Sequence, residues 1–325
     1  MPDREITYLQ AINEALREEM RRDERVFMMG EDIGLYGGAF KVTRGLVDEF
    51  GTRRIRNTPI SEAVIVGAAA GAAMTGTRPI VEIMYIDFTT LAMDQIVNQM
   101  SKVRYMFGGK ATVPVVMRTQ GGAGRGNAAQ HSQSLEAWFV HVPGLIVVQP
   151  STPYDVKGLL KSAVRNDNPV MFIEHKLLYQ TKGMVPEEEY LLPLGKADVK
   201  RTGHHVTIVA TSMMVTHALK AAETLAKEGI EAEIVDPRTL KPLDKEPIIN
   251  SVKKTLHLVI VNEGWRTGGY ASQVLGMVQE DIFDYLDAPV QIVASEDVPI
   301  PYNHGLEYET IPGEKDILAA VHKIL

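Results

Sequence analysis

The sequence of 325 residues contains no cysteine. Disulfide bonds and thiolate metal sites are therefore excluded, and the redox compartment stays open. The sequence also lacks an excess of positive charge, because 34 Lys and Arg stand against 41 Asp and Glu, for a net charge of -7. Nucleic-acid-binding domains normally carry a basic stripe, so this balance predicts no nucleic-acid partner.

Long apolar runs are missing as well. The longest run of small and apolar residues extends from Ala63 to Met74, whereas a helix needs about 20 apolar residues to span a bilayer. The start, MPDREITYLQ, has no apolar signal core and does not resemble an Arg-rich, acid-poor transit peptide. We therefore expect a soluble, cytoplasmic protein with no membrane association.

What is present is the composition of a globular protein, with 45% hydrophobic and 23% charged residues. Strand and helix patterns alternate along it, beginning with Leu9, Ile12, Leu16 and Met20 at helical spacing. Such alternation predicts a parallel sheet covered by helices. In the first half we predict strands at 26–30, 54–56, 80–86, 113–117, 145–148 and 170–173, with helices at 91–103 and 154–165.

The alternation lapses in the polar, proline-bearing stretch 180–194 and then restarts. Since 325 residues exceed one average domain, we predict two α/β domains, at 1–188 and 194–325, the second smaller. Its predicted strands are 206–210, 232–235, 256–261 and 290–293, and its predicted helices are 215–227 and 270–279.

Three stretches should meet at the carboxyl edge of the first sheet, where ligands bind in open parallel sheets. They are TPISE with Glu62, YIDF with Tyr85 and Phe88, and the loop from Thr119 to Gln133 with His131. A loop of that length inside a compact domain is typically functional.

Each of these residues also has a plainer interpretation. Glu62 could be an acid in the first turn of a helix, with Ser61 as its N-cap. Tyr85 and Phe88 could be core aromatics, and His131 could be an ordinary hydrogen-bonded loop histidine.

Glycines mark two further places. Gly67 and Gly71 would each cost about 1 kcal/mol inside a helix, which makes sense where another backbone packs close, so we predict a tight subunit interface. The glycines of residues 121–126 suggest a phosphate cradle, but they match neither a dinucleotide fingerprint nor a Walker loop. We interpret them as loop flexibility.

A set of motifs in a fixed order is far more specific than these parts. In order they are GEDIGLYGGAFKVTRGL, TPISE, RPIVEIMYIDF, DQIVNQMSKVRYMFGGK, AAQHSQS, PSTPYDVKGLLKSAVRNDNP, DPRTLKPLD and DVPIPYN. Over essentially its whole length the chain resembles the β subunit of the thiamin-diphosphate-dependent decarboxylating component of 2-oxo acid dehydrogenase complexes. The resemblance implies an N-terminal pyrimidine-binding domain and a C-terminal transketolase-like domain.

The resemblance also implies roles for the candidate residues. Glu62 would hydrogen-bond a ring nitrogen of the coenzyme's aminopyrimidine and favour its imino tautomer, which takes the proton from the thiazolium carbon. Phe88 would pack on the pyrimidine ring, with Tyr85 close by. His131 would transfer protons or orient groups around the decarboxylated substrate and the lipoyl group.

Ions and partners follow from the same resemblance. Some members bind potassium at positions that match Ala163, Val164, Asn166 and Asn168, although aspartate occupies one of these where this chain has Asn166. The sequence has neither the GDG segment nor the paired asparagines that hold Mg²⁺ and the diphosphate in thiamin-diphosphate enzymes. A separate α subunit would supply them in an α2β2 heterotetramer that acylates a lipoyl-bearing acyltransferase core.

Several functions remain open at this point. The leading one is oxidative decarboxylation of a 2-oxo acid, most simply pyruvate, with acyl transfer to lipoyllysine. Alternatives are the β subunit of an acetoin dehydrogenase and that of a branched-chain enzyme, whose members tend to show LYHSQ rather than AAQHSQ. Outside this class stand a non-catalytic scaffold subunit and a self-sufficient transketolase-like enzyme.

Overall fold

The computed structural model describes residues 4–325. The chain forms two compact units, which are described separately. The first comprises residues up to Gly121 together with Trp138–Leu194, and the second comprises Gly122–Ala137 together with Gly195–Leu325. The predicted boundaries at 188 and 194 stay a prediction, but the loop that carries His131 is grouped with the second unit.

Residues 4–194, which cover the first unit and the loop 122–137, contain eight strands and six α-helices. The strands are β1 (Arg4–Thr7), β2 (Val26–Gly30), β3 (Ile55–Asn57), β4 (Arg78–Ile83), β5 (Val116–Gly121), β6 (Ile146–Val148), β7 (Val170–His175) and β8 (Lys182–Val185). The helices are α1 (Tyr8–Arg22), α2 (Leu46–Phe50), α3 (Glu62–Met74), α4 (Val103–Met106), α5 (Glu136–His141) and α6 (Pro153–Arg165).

Six of these strands lie side by side in the order β6–β7–β5–β4–β2–β3, and all their pairings are parallel. Because parallel strands end at the same edge, the segments after β2, β3 and β4 leave the sheet on one side. The remaining two strands, β1 and β8, form an antiparallel ribbon. The predicted parallel sheet is thus confirmed.

Helix α1 has the amphipathic face that its sequence predicts. Thr7 caps it by accepting from the Gln10 N–H at 3.1 Å, and its apolar side, including Ile12 and Leu16, is fully buried. It packs against α6, whose Lys157 lies 2.8 Å from the Glu18 carboxylate of α1 although the lysine side chain is fully buried. Ion pairs between the two helices therefore compensate the charges that their packing buries.

The predicted helix at 91–103 is wrong in detail. A 3-10 helix covers Ile86–Ala92, a π-helical segment covers Gln95–Met100, and only the short α4 is α-helical. The predicted strand at 113–117 begins three residues late, at Val116, since Pro114 has no N–H to give to a sheet ladder.

The second unit repeats the alternation. Its strands are β9 (Asp198–Arg201), β10 (Val206–Ala210), β11 (Ala232–Asp236), β12 (Thr239–Lys241), β13 (Leu258–Trp265) and β14 (Gln291–Ser295). Its helices are α7 (Met213–Lys227), α8 (Lys245–Thr255), α9 (Tyr270–Ile282), α10 (His304–Thr310) and α11 (Glu314–His322). Five strands pair in the order β14–β13–β10–β11–β9, parallel except for β9. The predicted α/β class of both units is confirmed.

Candidate active site

Glu62 is the first residue of α3, at the carboxyl edge of the sheet of the first unit. The residue is 7% exposed. Ser61 precedes it at the N-cap position but makes no capping hydrogen bond. Within residues 4–325 no hydrogen bond or ion pair reaches the Glu62 carboxylate. Burying a carboxylate without a partner is unfavourable, so the helix start alone does not account for this residue.

A second carboxylate adds negative charge near Glu62. Glu31 directly follows β2, and its Oε1 is buried with no hydrogen-bond partner among the described residues. Burial, reinforced by the negative charges of Glu62, Asp32 and Glu82, raises the pKa of Glu31 above its usual range. A ligand that brings positive charge or hydrogen-bond donors would relieve the repulsion.

Behind this edge, Glu82 of β4 takes part in an ion cluster. Arg118 of β5 donates to Glu82 at 2.6 Å and to both oxygens of Glu174 at 2.7 and 2.8 Å. Tyr179 also donates to Glu174, at 2.6 Å. Burial works against the charge of Arg118, but Glu174 and Glu82 outweigh it and raise its pKa, whereas burial raises the pKa of Glu82. Glu82 and Glu174 therefore have a cationic partner within the chain, whereas Glu62 has none among the described residues.

Tyr85 and Phe88 follow β4, at the start of the 3-10 helix. Both are half-buried rather than core residues. Tyr85 packs edge-to-face on Phe40, with ring centroids 5.8 Å apart, and the Lys176 ammonium lies 4.9 Å from its ring centre. The structure thus places Glu62, Tyr85 and Phe88 on segments that leave one edge of one sheet.

His131 belongs to the second unit, where it is half-buried on the loop 122–134. Its backbone N–H lies 3.4 Å from the Ala128 carbonyl. The glycines of this loop are held rather than loose, because Gly124 and Gly126 each donate a backbone N–H to Glu307 at 2.8 Å. The cradle that these glycines form is therefore occupied by a carboxylate of the same chain.

The predicted potassium ligands lie where α6 ends. Arg78 donates to the carbonyls of Val164 and Asn166, both at 3.0 Å, and the Asn166 N–H closes on the Ala163 carbonyl at 3.1 Å. The Asn168 side-chain oxygen accepts from Arg104 at 3.1 Å. A guanidinium already supplies positive charge to these carbonyls, so they do not by themselves call for a cation.

Gly67 and Gly71 differ in their surroundings. A methyl group on Gly67 would lie 3.2 Å from Oε1 of Gln95, so a contact inside the first unit accounts for part of its need to be small. A methyl group on Gly71 would meet nothing within 4 Å. Only Gly71 therefore retains the subunit interface as its main explanation.

The sequence patterns did not identify Glu31 or Glu307. They also did not identify Glu263, which accepts from the Ala123 N–H of the His131 loop at 2.7 Å. Glu31 carried a signal, since an acid directly after a buried strand stands at the ligand-binding edge. Glu307 carried none that we recognise, because it lies in the short helix α10, which the pattern did not predict. Across residues 4–325, no group of three or more His, Cys, Asp or Glu is arranged to hold a metal ion. None of the helices in this range is both long and apolar enough to cross a membrane.

Comparison with known proteins identifies both units. Residues 4–182 match the family model of the transketolase pyrimidine-binding domain, and residues 195–317 match that of the transketolase C-terminal domain. A solved structure, "Split gene transketolase, inactive beta4 tetramer", matches this chain over 98% of both chains at a TM-score of 0.80 and 25% identity.

The sequence relatives share a higher identity with this chain than that solved structure does. "Pyruvate dehydrogenase E1 component subunit beta" of Rickettsia felis is 48% identical over 320 residues, covering 98% of each chain. The mitochondrial proteins of that name from Dictyostelium discoideum and Bos taurus are each 47% identical, covering 99% of this chain and 91% of their own length.

Proposed function

The chain belongs to the family of β subunits of 2-oxo acid dehydrogenase decarboxylating components, and from that membership we propose the reaction and the residues that carry it. The reaction is the oxidative decarboxylation of pyruvate, with transfer of the acyl group to lipoyllysine of the acyltransferase core. Full-length relatives at 47% and 48% identity bear the pyruvate dehydrogenase name, which supports this assignment. The coenzyme is thiamin diphosphate, in keeping with the two transketolase-type domains.

The observation that carries the proposal is the state of Glu62. The residue is 7% exposed, its carboxylate lacks a partner within the described chain, and it lies near a second carboxylate, Glu31, whose pKa is raised by burial and by the charge of Glu62. A protonated or donor-bearing ring nitrogen is the group that this site lacks, so the residues present fit the aminopyrimidine end of the coenzyme. When bound, the coenzyme supplies the nucleophilic carbon that attacks the 2-oxo group and accepts its electrons.

The roles of this chain's residues follow. With the coenzyme bound, Glu62 would accept the hydrogen bond of the pyrimidine nitrogen and would thereby make the exocyclic amine a better proton acceptor. Phe88 and Tyr85, which are half-buried on the segment that follows β4, pack on the pyrimidine ring. His131 moves or holds a proton during acyl transfer, since histidine is the side chain that most often serves as a general acid or base.

The chain supplies one end of the coenzyme site. The diphosphate and Mg²⁺ ligands belong to an α subunit, because the sequence lacks the GDG segment and the asparagine pair. The working unit is an α2β2 heterotetramer, and the relatives' designation "subunit beta" supports a second kind of subunit. The related fold designated an inactive β4 tetramer is consistent with a β chain that needs its partner. A potassium ion near Asn166 would have to compete with Arg78, which already donates to the carbonyls of Val164 and Asn166.

A β subunit of acetoin dehydrogenase is the second candidate, since AAQHSQ resembles the motif of those members too, and a branched-chain enzyme is the third. The predicted cytoplasmic location stays a prediction, because the relatives include mitochondrial and chloroplast proteins.

The assignment can be tested by co-expressing the chain with its α subunit. Pyruvate, branched-chain 2-oxo acids and acetoin are then compared with an artificial electron acceptor. We expect pyruvate to give the highest kcat/KM. Preference for acetoin or a branched-chain acid would replace the substrate assignment while keeping the family.

The half-site can be tested on the isolated chain. Because the diphosphate and Mg²⁺ ligands lie elsewhere, we expect calorimetry to show weak or no binding of thiamin diphosphate until the α subunit is added. Micromolar binding by the lone chain would contradict the shared site.

A further inference from the structure

The loop 122–134 is fixed by two buried or half-buried carboxylates of its own unit. The Ala123 N–H donates to Glu263 at 2.7 Å, and the N–H groups of Gly124 and Gly126 donate to the two oxygens of Glu307 at 2.8 Å each. Glu307 is 0% exposed. Each of its carboxylate oxygens thus accepts from backbone that leads to His131, and the ring of the exposed His304 lies 3.4 Å from one of them.

The glycines make this arrangement possible. Gly124 has φ +93 and Gly126 has φ +66, which are left-handed conformations that L side chains rarely adopt. Alternate left-handed residues turn successive N–H groups toward one point and form an anion-binding concavity. In nucleotide-binding loops the anion is a phosphate, whereas here it is the Glu307 carboxylate from α10. Two charge-assisted hydrogen bonds offset the unfavourable burial of that charge.

The returning half of the loop is held as well. The Gly122 N–H donates to the Gln133 carbonyl at 3.1 Å, which closes the neck of the loop. Ser134 donates to Glu263 at 3.2 Å, so Glu263 joins the two ends. His131 therefore lies between a closed neck and the segment that Glu307 holds, and its backbone position depends on both.

We propose that Glu307 is a positioning residue for His131: it fixes the outgoing half of the loop through Gly124 and Gly126 and so sets where the imidazole stands. This inference rests on the proposed role of His131 in acyl transfer. Glu307 itself contacts backbone amides and not the reacting groups.

The test uses the chain assembled with its α subunit and compares Glu307→Gln, His131→Ala and the double variant. Glutamine keeps the size of the side chain but loses its charge and presents a donor to one of the two amides. Three quantities are measured: acyl transfer to a lipoyl domain, decarboxylation with an artificial acceptor, and amide hydrogen exchange in the peptide 122–134. Glu309→Gln is the matched control, because Glu309 lies on the same helix and is 71% exposed at its side chain.

We expect Glu307→Gln to speed exchange in peptide 122–134 and to lower the rate of acyl transfer about tenfold, since small misplacements of reacting groups have effects of this order or larger. The double variant should be no slower than His131→Ala alone, because Glu307 acts through His131. Glu309→Gln should change none of the three quantities.

Two results would overturn the inference. If adding Glu307→Gln to the His131→Ala variant slows acyl transfer by the same factor as adding it to the wild type, Glu307 acts independently of His131. If exchange in peptide 122–134 is unchanged, Glu307 does not hold the loop. Should His131→Ala leave both rates unchanged, the proposed role of His131 fails and the positioning role fails with it, whereas the exchange measurement still reports whether the loop is held.

A second variant covers the case in which Glu307→Gln does not fold. Gly126→Ala perturbs the same contact from the loop side, because its methyl group would lie 2.9 Å from Nε2 of the exposed His304 and its φ would be strained. It should reproduce the faster exchange and the slower acyl transfer. Wild-type values for both would overturn the inference independently of Glu307.

Discussion

Two buried glutamates, one in each unit, differ in what surrounds them. Glu307 in the second unit is 0% exposed and receives two backbone N–H groups at 2.8 Å. Glu62 in the first unit is 7% exposed and meets no donor from residues 4–325. A buried carboxylate is stable only when it is hydrogen-bonded or paired. Glu307 has its partners within the chain, whereas Glu62 needs a partner that the chain does not contain.

The Arg118 cluster shows a second way to satisfy buried carboxylates. Glu82 on β4 and Glu174 on β7 share one guanidinium and are satisfied by it, although they belong to the same sheet as the strand that precedes Glu62. The same unit thus holds carboxylates that serve the fold and one that is available to a ligand. The difference lies in the partner and not in the depth of burial.

The largest expected effect follows from removing the internal partner. Arg118→Met leaves Glu82 and Glu174 buried without a cation, which typically costs about 3–5 kcal/mol. We expect a loss of that size in the free energy of unfolding of the isolated chain, measured by urea denaturation. Arg53→Met is the control, since Arg53 is exposed in the same unit and its replacement should change stability by at most about 0.5 kcal/mol. A loss below about 1 kcal/mol for Arg118→Met would show that the cluster is not needed to compensate these charges.

The converse effect is expected at Glu62. Glu62→Gln should leave folding and assembly intact but lower turnover about a hundredfold or more, because the amide cannot act as the charged acceptor toward the pyrimidine ring. Turnover of the assembled enzyme, circular dichroism and sedimentation measure the three properties. Glu24→Gln removes an exposed carboxylate of the same unit and should change none of them. Near wild-type turnover with coenzyme bound would return Glu62 to the role of a helix-start acid.

How far the sequence predicts this contrast depends on the range of the interactions. The apolar periodicity of α1 and the alternation of strands and helices are local, and they predict the fold class of both units. Glu62, Tyr85 and Phe88 could be assigned to one sheet edge because parallel strands end together.

The occupant of the glycine cradle could not be predicted. Glu307 lies 181 residues after Gly126, and nothing local links the two. The interpretation of residues 121–126 as flexible therefore missed their anchoring. Likewise, the sequence between 91 and 103 has a helical pattern, yet 3-10, π-helical and α-helical segments follow one another there, from Ile86 to Met106. Short β1 and β8 escaped prediction because they stabilise each other only as a pair distant in sequence.

A pH measurement sharpens the comparison further. Burial and the charge of Glu62 raise the pKa of Glu31 in the folded chain, so the folded state holds this proton more tightly than the unfolded state does. The resulting stabilisation is present below the ordinary pKa of 4.5 and is lost as pH rises through the raised value.

Glu62→Gln removes one of the charges that raise this pKa, so it should weaken the fall in stability as pH rises above 4.5. We expect the melting temperature of the isolated variant to exceed that of the wild type at pH 7 and to converge with it at acidic pH. The difference between the two proteins is measured at each pH, which cancels the other titrating groups. A constant difference across the pH range would show that Glu31 and Glu62 do not interact.

The smallest expected effect concerns Gly71. Like Glu62, it lies beside space that the described chain does not fill and that a partner would occupy. A methyl group there meets nothing within 4 Å, and Ile60 and Val64, which precede it near the start of α3, are 80% and 64% exposed. In the isolated chain, Gly71→Ala should therefore gain helix propensity, up to about 1 kcal/mol. In the assembly the methyl group should meet the α subunit, where overpacking typically costs about 1–3 kcal/mol.

The two effects act on different equilibria and have opposite signs. Urea unfolding of the isolated chain should show a slight gain in stability, and sedimentation with the α subunit should show association weakened about tenfold. Gly276→Ala is the matched control, because Gly276 lies in α9 and its added methyl group also meets nothing within 4 Å. It should give the gain in stability without the loss of association. Gly67→Ala should gain less stability than either, since the Gln95 side chain must move to admit the methyl group. A full-size assembly of Gly71→Ala at unchanged affinity would mean that this face of α3 is not part of the subunit interface.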